Sequence, residues 1–390
     1  MPESFDSLLK DVLSGLAEAQ QLRSRRVVVP IDAVHVEIDG RLCVNFCSNN
    51  YLGLTHHRRL VAAMGDAAAK FGAGAGAAGL ISGYFTQHAA AESAIASWKG
   101  TESAVLLPSG YQANHAAIQT LAAVGKNRGG ARFLVDKLAH ASLLDAIRGS
   151  GAAWRVFPHN GMSKLRRLLD DADPGQLQAV VTESIFSMDG DAADLKSLVE
   201  LKRARPFVLL LDEAHAGGVY GPDGAGLAAE YGLAEAVDIF VATFSKAAGC
   251  VGGAICATGD FCRAAVNLGR AYIFSTSIPP AIAAGIEEAI RVMHDEPARQ
   301  QRVRALARQV RERLRGKGMV LPEGDSPIVP IIVGEESAAL NLAGKLLEKN
   351  LLVGAVRPPT VPRGTSRLRL TLSCEHTQEE IERLIEAVAG

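Results

Sequence analysis

The sequence predicts an α/β fold, with a mainly parallel sheet between helices followed by a smaller α+β region. Three observations predict it. From about residue 100, short β-rich runs alternate with helical segments, the order expected of βα units. Most of these runs are apolar almost throughout, as strands buried on both faces are. Chemically capable polar residues gather just past the carboxyl ends of the runs, where open α/β sheets bind their ligands. Composition agrees. The 390 residues are 48% hydrophobic and 21% charged, enough for a large core. A formal net charge of −1 leaves no basic field for nucleic acid or an anionic membrane.

In chain order, the first segment reads as an amphipathic helix. Phe5, Leu8, Leu9, Val12, Leu13 and Leu16 recur at helical spacing, and the helix is expected to dock on the body. It starts acidic and lacks the apolar stretch of a secretory signal. The β-rich runs are AVLLP (104–108), RFLVD (132–136), WRVFP (154–158), AVVTES (179–184), FVLLLDEA (207–214), IFVATFS (239–245) and GGAICAT (252–258). Pro279 and Pro280 mark a break, and charged helices follow to about Gly318. PIVPIIV (327–333), a helix near 337–349, LLVGAV (351–356), SRLRLTLS (366–373) and a helix from Thr377 complete the chain. The expected division is an N-terminal helix and arm at 1–48, a large domain at 49–282 and a small one at 283–390. Six cysteines include no C-x-x-C pair, so free thiols in a reducing cytosol are expected, and no metal site.

The chemistry lies in a few short motifs. Thr243-Phe244-Ser245-Lys246 ends an apolar run in hydroxyls and a lysine. A lysine desolvated in a cleft loses basicity, and its neutral amine can form a Schiff base. Alone, Lys246 reads more readily as a surface lysine after a strand; its partners change that. Leu209-Leu210-Leu211-Asp212 drives a carboxylate to a strand's inner end, where it needs a cation. A pyridinium nitrogen would serve, and so would a salt bridge. His215 follows three residues on. Pro108-Ser109-Gly110-Tyr111-Gln112-Ala113-Asn114 is a small-residue turn opening a helix, a fit site for phosphate. His140 and Ser187 each follow a strand; ring stacking is open to the first and turn formation to the second. Arg367, Arg369 and Thr371 share one strand face, which can clamp a carboxylate or simply face solvent. Gly74-Ala75-Gly76-Ala77-Ala78-Gly79 fits the dinucleotide pattern G-x-G-x-x-G, but the preceding VAAMGDAAAKF reads as helix where that pattern requires a strand. These glycines are expected to let backbone pass close to a ligand or a second subunit.

Together these residues resemble the α-oxoamine synthases, pyridoxal-phosphate (PLP) enzymes of the aspartate-aminotransferase fold. The resemblance rests on FCSNNYLGL (46–54), PSGYQAN (108–114), AHASLLDA (139–146), TESIFSMDGD (182–191), LDEAHAGGVYG (211–221), TFSK (243–246), IFSTSIPP (273–280) and RPPTVPRGTSRLRLTL (357–372). It implies a fold-type I transferase whose large domain holds a mainly parallel seven-stranded sheet. It also implies that Lys246 bonds PLP and moves the substrate's α-proton. Asp212 would pair with the ring nitrogen, His215 would contact the ring oxygen, and His140 would stack on the ring. Gly110, Tyr111, Ser187 and Thr243 would hold the cofactor. Ser275 and Thr276 would reach the neighbouring subunit's phosphate, which makes a homodimer. Arg369 would clamp the substrate carboxylate, and Arg23, Asn49 and Thr360 match substrate-contact positions. Within the family, RPPTVP and STSIPP are most similar to biotin-pathway members that condense L-alanine with a pimeloyl thioester of CoA or a carrier protein. Siblings use glycine with acetyl-CoA or succinyl-CoA. A catalytically silent PLP-binding protein would be expected to lack the lysine or the aspartate, and both are present. Glu213 stands where the family often carries aspartate.

Overall fold

The computed structural model describes residues 4–389. Three strands, Val29–Pro30 (β1), His35–Ile38 (β2) and Arg41–Asn45 (β3), form an antiparallel ribbon near the N-terminus. The next seven are Ser103–Leu107 (β4), Ala131–Asp136 (β5), Ala153–Phe157 (β6), Leu177–Glu183 (β7), Val208–Asp212 (β8), Ile239–Thr243 (β9) and Gly253–Ala257 (β10). They build one seven-stranded sheet in the order β4-β10-β9-β8-β7-β5-β6. Strand β10 runs antiparallel to β4 and β9, and the other pairings are parallel. Fold class and strand number are as the sequence implies.

Alternation along each central strand feeds two cores. Leu210, Val181, Val135 and Ile255 pack with the helix Gly110–Gly125 on one face, whereas Leu209, Leu211, Val180 and Leu134 join the core on the other. Each of these side chains is buried, which explains the unbroken apolar runs. WRVFP is the exception. Strand β6 is the sheet's edge, and Arg155 and Val156 are exposed.

Five helices matter below: Phe5–Glu18 (α1), Arg58–Phe71 (α2), Thr86–Lys99 (α3), Gly110–Gly125 (α4) and Ala141–Ser150 (α5). Helix α1 forms where its periodicity predicts, with Ser4 as its cap (Ser7 N to Ser4 Oγ, 3.2 Å). The expected docking is not seen within the chain, since α1 buries no residue and Phe5 is 73% exposed. Helix α2 precedes the glycine-rich segment, so the dinucleotide pattern fails its structural requirement. There the backbone folds back on itself tightly enough that a Cβ on Gly83 would lie 2.0 Å from the Ala77 carbonyl oxygen.

The C-terminal strands are Ile328–Gly334 (β11), Leu351–Leu352 (β12), Gly354–Val356 (β13) and Ser366–Thr371 (β14). LLVGAV, expected as one strand, divides at Val353. β12 joins β3 in parallel, and β13 pairs with β14 in a three-stranded sheet ordered β11-β14-β13. Among the described residues no helix is long and apolar enough to cross a membrane, and all six cysteines are unpaired.

Candidate active site

Register brings the chemistry together. Pairing of β7, β8 and β9 sets Glu183 beside Asp212 and Asp212 beside Val241, and β9 then ends at Thr243, three residues before Lys246. Asp212 is buried. Its oxygens accept from the Ala214 amide at 2.9 Å and from Asn114 Nδ2 at 2.7 Å, both neutral donors. No ion-pair partner within 4.0 Å is present among the described residues. A carboxylate buried this way has no direct ion-pair partner, only the longer-range attraction of Lys246, and desolvation makes that costly.

Lys246 Nζ lies 2.9 Å from His215 Nε2. Burial lowers the amine's pKa to about 8, although Asp212 and Glu183 pull it upward. His215 is itself held well below the usual histidine range, by burial first and then by the Lys246 and Arg369 charges. Its Nδ1 is 2.6 Å from the Tyr51 hydroxyl, which lies 3.2 Å from Asn49 Oδ1. Burial pushes Tyr51 up to about 12, so it keeps its proton. The donors then order themselves. Tyr51 donates to Asn49, His215 Nδ1–H donates to Tyr51, and His215 Nε2 is left to accept from Lys246.

The two candidate arginines part company here. Both are buried, so the solvated strand face is overturned. Arg367 is neutralised by Asp189 at 2.6 Å. Arg369 meets neutral acceptors: the Ser187 carbonyl at 2.7 Å, Asn49 Oδ1 at 3.1 Å and Thr371 Oγ1 at 2.9 Å. It remains the buried guanidinium able to take a carboxylate from outside the chain.

The Ser109 side chain caps α4 by accepting from the Gln112 amide at 3.2 Å. The Gly110 and Tyr111 amides have no partner among the described residues and form the positive end of a 16-residue helix. Gly110 is required, because a Cβ there would stand 2.2 Å from Thr243 Cγ2. That contact seats the helix start against the end of β9. Gln112 Nε2 also donates to Ser275 Oγ at 3.1 Å, which brings Ser275 to the same helix start, while Thr276 is exposed and bridges to Ala78. Tyr111 is exposed, donates to Asp145 at 3.1 Å and stacks on His115 at 4.6 Å. His140 caps α5, and burial lowers its pKa.

The sequence matches the family described as aminotransferase class I and II over residues 41–388. The chain belongs to that family. Within these aminotransferase-like proteins, an 8-amino-7-oxononanoate synthase of Pseudomonas putida (strain GB-1) is 38% identical over 383 residues, covering 97% of this chain and 96% of its own. Serine palmitoyltransferase from S. paucimobilis, solved with a bound PLP–myriocin aldimine, superposes with a TM-score of 0.91 at 30% identity, over 99% of this chain and 96% of that one. The 8-amino-7-oxononanoate synthase of Francisella tularensis gives 0.77 at 26% identity, over 89% and 97%. These relatives place the chain among the α-oxoamine synthases, as its sequence blocks imply.

Two substrate-contact candidates of this family member stand apart from the Lys246 group. Arg23 donates to the Pro358 carbonyl at 3.3 Å, beside the turn carrying exposed Thr360, and no hydrogen bond links either to Lys246 or Asp212. Four residues had no role assigned from sequence: Tyr51, Asn114, Ser142 and Glu183. All lay inside quoted blocks, but the contacts of Tyr51 with His215 and of Asn114 with Asp212 join positions distant in sequence. Glu183 is buried with Oε1 unpartnered, and its carboxyl is pushed well above the usual range by burial and by Asp212 beside it.

Proposed function

We propose that this chain catalyses PLP-dependent decarboxylative condensation of L-alanine with a pimeloyl thioester, giving 8-amino-7-oxononanoate, carbon dioxide and free thiol. The observation that carries the proposal is the buried Asp212 carboxylate, with no ion-pair partner within 4.0 Å among the described residues, close to the depressed Lys246 amine in a chain similar along its length to 8-amino-7-oxononanoate synthases. That arrangement fits PLP. Asp212 lacks the positive partner that a pyridinium nitrogen supplies, and the open amides of Gly110 and Tyr111 suit a phosphate. Bound PLP supplies an electron sink for the charge left when a proton leaves the substrate's α-carbon.

The chain's own residues do the rest. Lys246 Nζ would hold the cofactor covalently, and its free amine would move the substrate's α-proton; an amine near pKa 8 is basic enough to take it and acidic enough to return it. His215, held by Tyr51, steadies that nitrogen and would contact the cofactor's ring oxygen. Arg369 and Asn49 bind the amino-acid carboxylate, and its loss as carbon dioxide follows carbon–carbon bond formation. His140 would stack on the cofactor ring. Ser187 and Thr243 would hold the cofactor on one subunit, while Ser275 of the partner subunit and Thr276 of the partner subunit would reach its phosphate. The enzyme thus works as a homodimer in the cytoplasm, where its six unpaired cysteines stay reduced. Arg23 and Thr360 line the acyl chain's path, whether CoA or a carrier protein delivers it.

The test follows free-thiol release by PLP-loaded protein. L-Alanine with pimeloyl-CoA or pimeloyl-carrier protein should turn over. Glycine with acetyl-CoA or succinyl-CoA, and L-serine with palmitoyl-CoA, should run at least about 100-fold slower, the discrimination that pocket contacts confer. Preference for any of those pairs overturns the substrate assignment.

A further inference from the structure

His140 and Asp212 sit at the ends of different strands, yet a hydrogen-bond path joins them. Asn114 Nδ2 reaches Asp212 Oδ2 at 2.7 Å and Ser142 Oγ at 2.9 Å. Ser142 Oγ lies 2.8 Å from His140 Nδ1. Both linking side chains are buried: Asn114 is 2% exposed and Ser142 is 1% exposed.

Counting donors orients the path. A carboxylate only accepts, so the Asn114 amide must turn its nitrogen toward Asp212. Its two N–H groups then serve Asp212 and Ser142. This orientation holds although it leaves Asn114 Oδ1 buried without a partner among the described residues. Because the Ser142 oxygen accepts from Asn114, its single hydrogen is free for His140 Nδ1. The Ser142 backbone amide points at the same nitrogen at 3.2 Å and can only donate. Two donors thus converge on Nδ1, which must carry its lone pair, and the ring proton resides on Nε2.

We infer that Asn114 and Ser142 are positioning residues that hold His140 as the neutral Nε2–H tautomer, so that it serves the reaction as a hydrogen-bond donor and not as a base. Nε2 has no partner among the described residues. It offers its proton to a substrate oxygen that carries or gains negative charge; this use rests on the proposed function, whereas the tautomer does not. Protonating Nδ1 would require both donors to turn away. The other groups around the ring divide. Burial and Lys246 disfavour the imidazolium, and Asp212 and Asp145 favour it. His215 adds a neutral neighbour, held well below its usual range, and Glu183, pushed well above its usual range by burial and by Asp212, lies near the His140 backbone amide, which favours its charged form.

The test is nitrogen-15 NMR of imidazole-labelled, PLP-loaded protein, with His140→Gln assigning the resonance. At neutral pH the wild-type ring should show an unprotonated Nδ1 and a protonated Nε2. Ser142→Ala should raise the ring pKa toward the ordinary histidine value and lower kcat about tenfold, the worth of one hydrogen bond. Ser142→Thr, which keeps the hydroxyl, should restore both. A wild-type Nδ1–H tautomer or imidazolium overturns the inference, as does a Ser142→Ala spectrum identical to wild type. The expected wild-type spectrum from an enzyme silent with every substrate pair leaves the tautomer standing and removes the proposed function.

Discussion

Asp212 and Glu213 are consecutive carboxylates at the end of β8, equally deep, with opposite fates. Strand alternation sends their side chains to opposite sides. Glu213 meets Lys99, the last residue of α3, in an ion pair whose side chains are each 1% exposed. The pair is closed. Glu213 also accepts from the Ala228 amide at 3.0 Å, and Lys99 donates to the Ala225 carbonyl and lies 4.6 Å from the centre of the Phe240 ring. Asp212 has neutral donors alone. A buried charge whose needs are met within the chain serves architecture; one left short of a countercharge marks where something else must bind. It is the glutamate at 213 that meets Lys99.

The comparison can be broken in several ways. The largest effect is expected from Lys246→Ala, on the open side of β8: thiol release should vanish, while the thermal midpoint stays within a few degrees of wild type. On the closed side, Lys99→Met strands Glu213 without its cation and should cost about 3–5 kcal/mol in urea unfolding. Lys99→Met with Glu213→Leu should recover most of that loss, because an apolar pair of similar volume replaces the ion pair at little net cost. Asp212→Asn should lower kcat about 100- to 1,000-fold, the usual consequence of removing one electrostatic stabiliser. It should leave apo stability unchanged or higher, the opposite sign to Lys99→Met. Equal destabilisation by both would end the distinction.

The smallest effect concerns a third buried carboxylate, Asp136, whose cation can be titrated away. His159 Nδ1 lies 3.2 Å from Asp136 and Nε2 lies 2.7 Å from Asp191. Burial opposes charging the ring, but the two carboxylates overcome it and raise its pKa to about 10. The folded-state value lies above the unfolded one. The resulting stability is therefore complete below the ordinary histidine value near 6.5 and is lost as pH rises through about 10. Urea midpoints should fall over that window in wild type and fall less in His159→Asn, with a difference of about 1–2 kcal/mol. Identical slopes would show that the ring is neutral throughout.

Much of the site was legible because a polar residue closing an apolar run is a local event. Lys246, Asp212 and His215 stand at or just past such an end, and strand order only had to bring the ends together. Choices between like residues were not legible. Arg367 and Arg369 occupy the same face of β14, and what separates them is Asp189, 178 positions away, against Ser187 and Asn49. Tyr51 gave no sign of its role, because its partner His215 is 164 positions away. WRVFP and LLVGAV carried a strand pattern without saying that one lies at an edge and the other divides between two sheets.

The sequence by itself determined the α/β class, the seven strands of the main sheet, the helix starts and the identity of the lysine, carboxylate and histidine at the strand ends. Periodicity, capping and the cost of an unpaired charge act over a few residues. Tertiary structure alone decided which charges are paired. It closed Glu213 with Lys99 and left Asp212 open, gave Asp189 to Arg367 and spared Arg369, and joined His140 to Asp212 through Asn114 and Ser142. Those outcomes depend on which strands become neighbours. Neighbours in space are set by burying the whole apolar surface at once, a property no short segment carries.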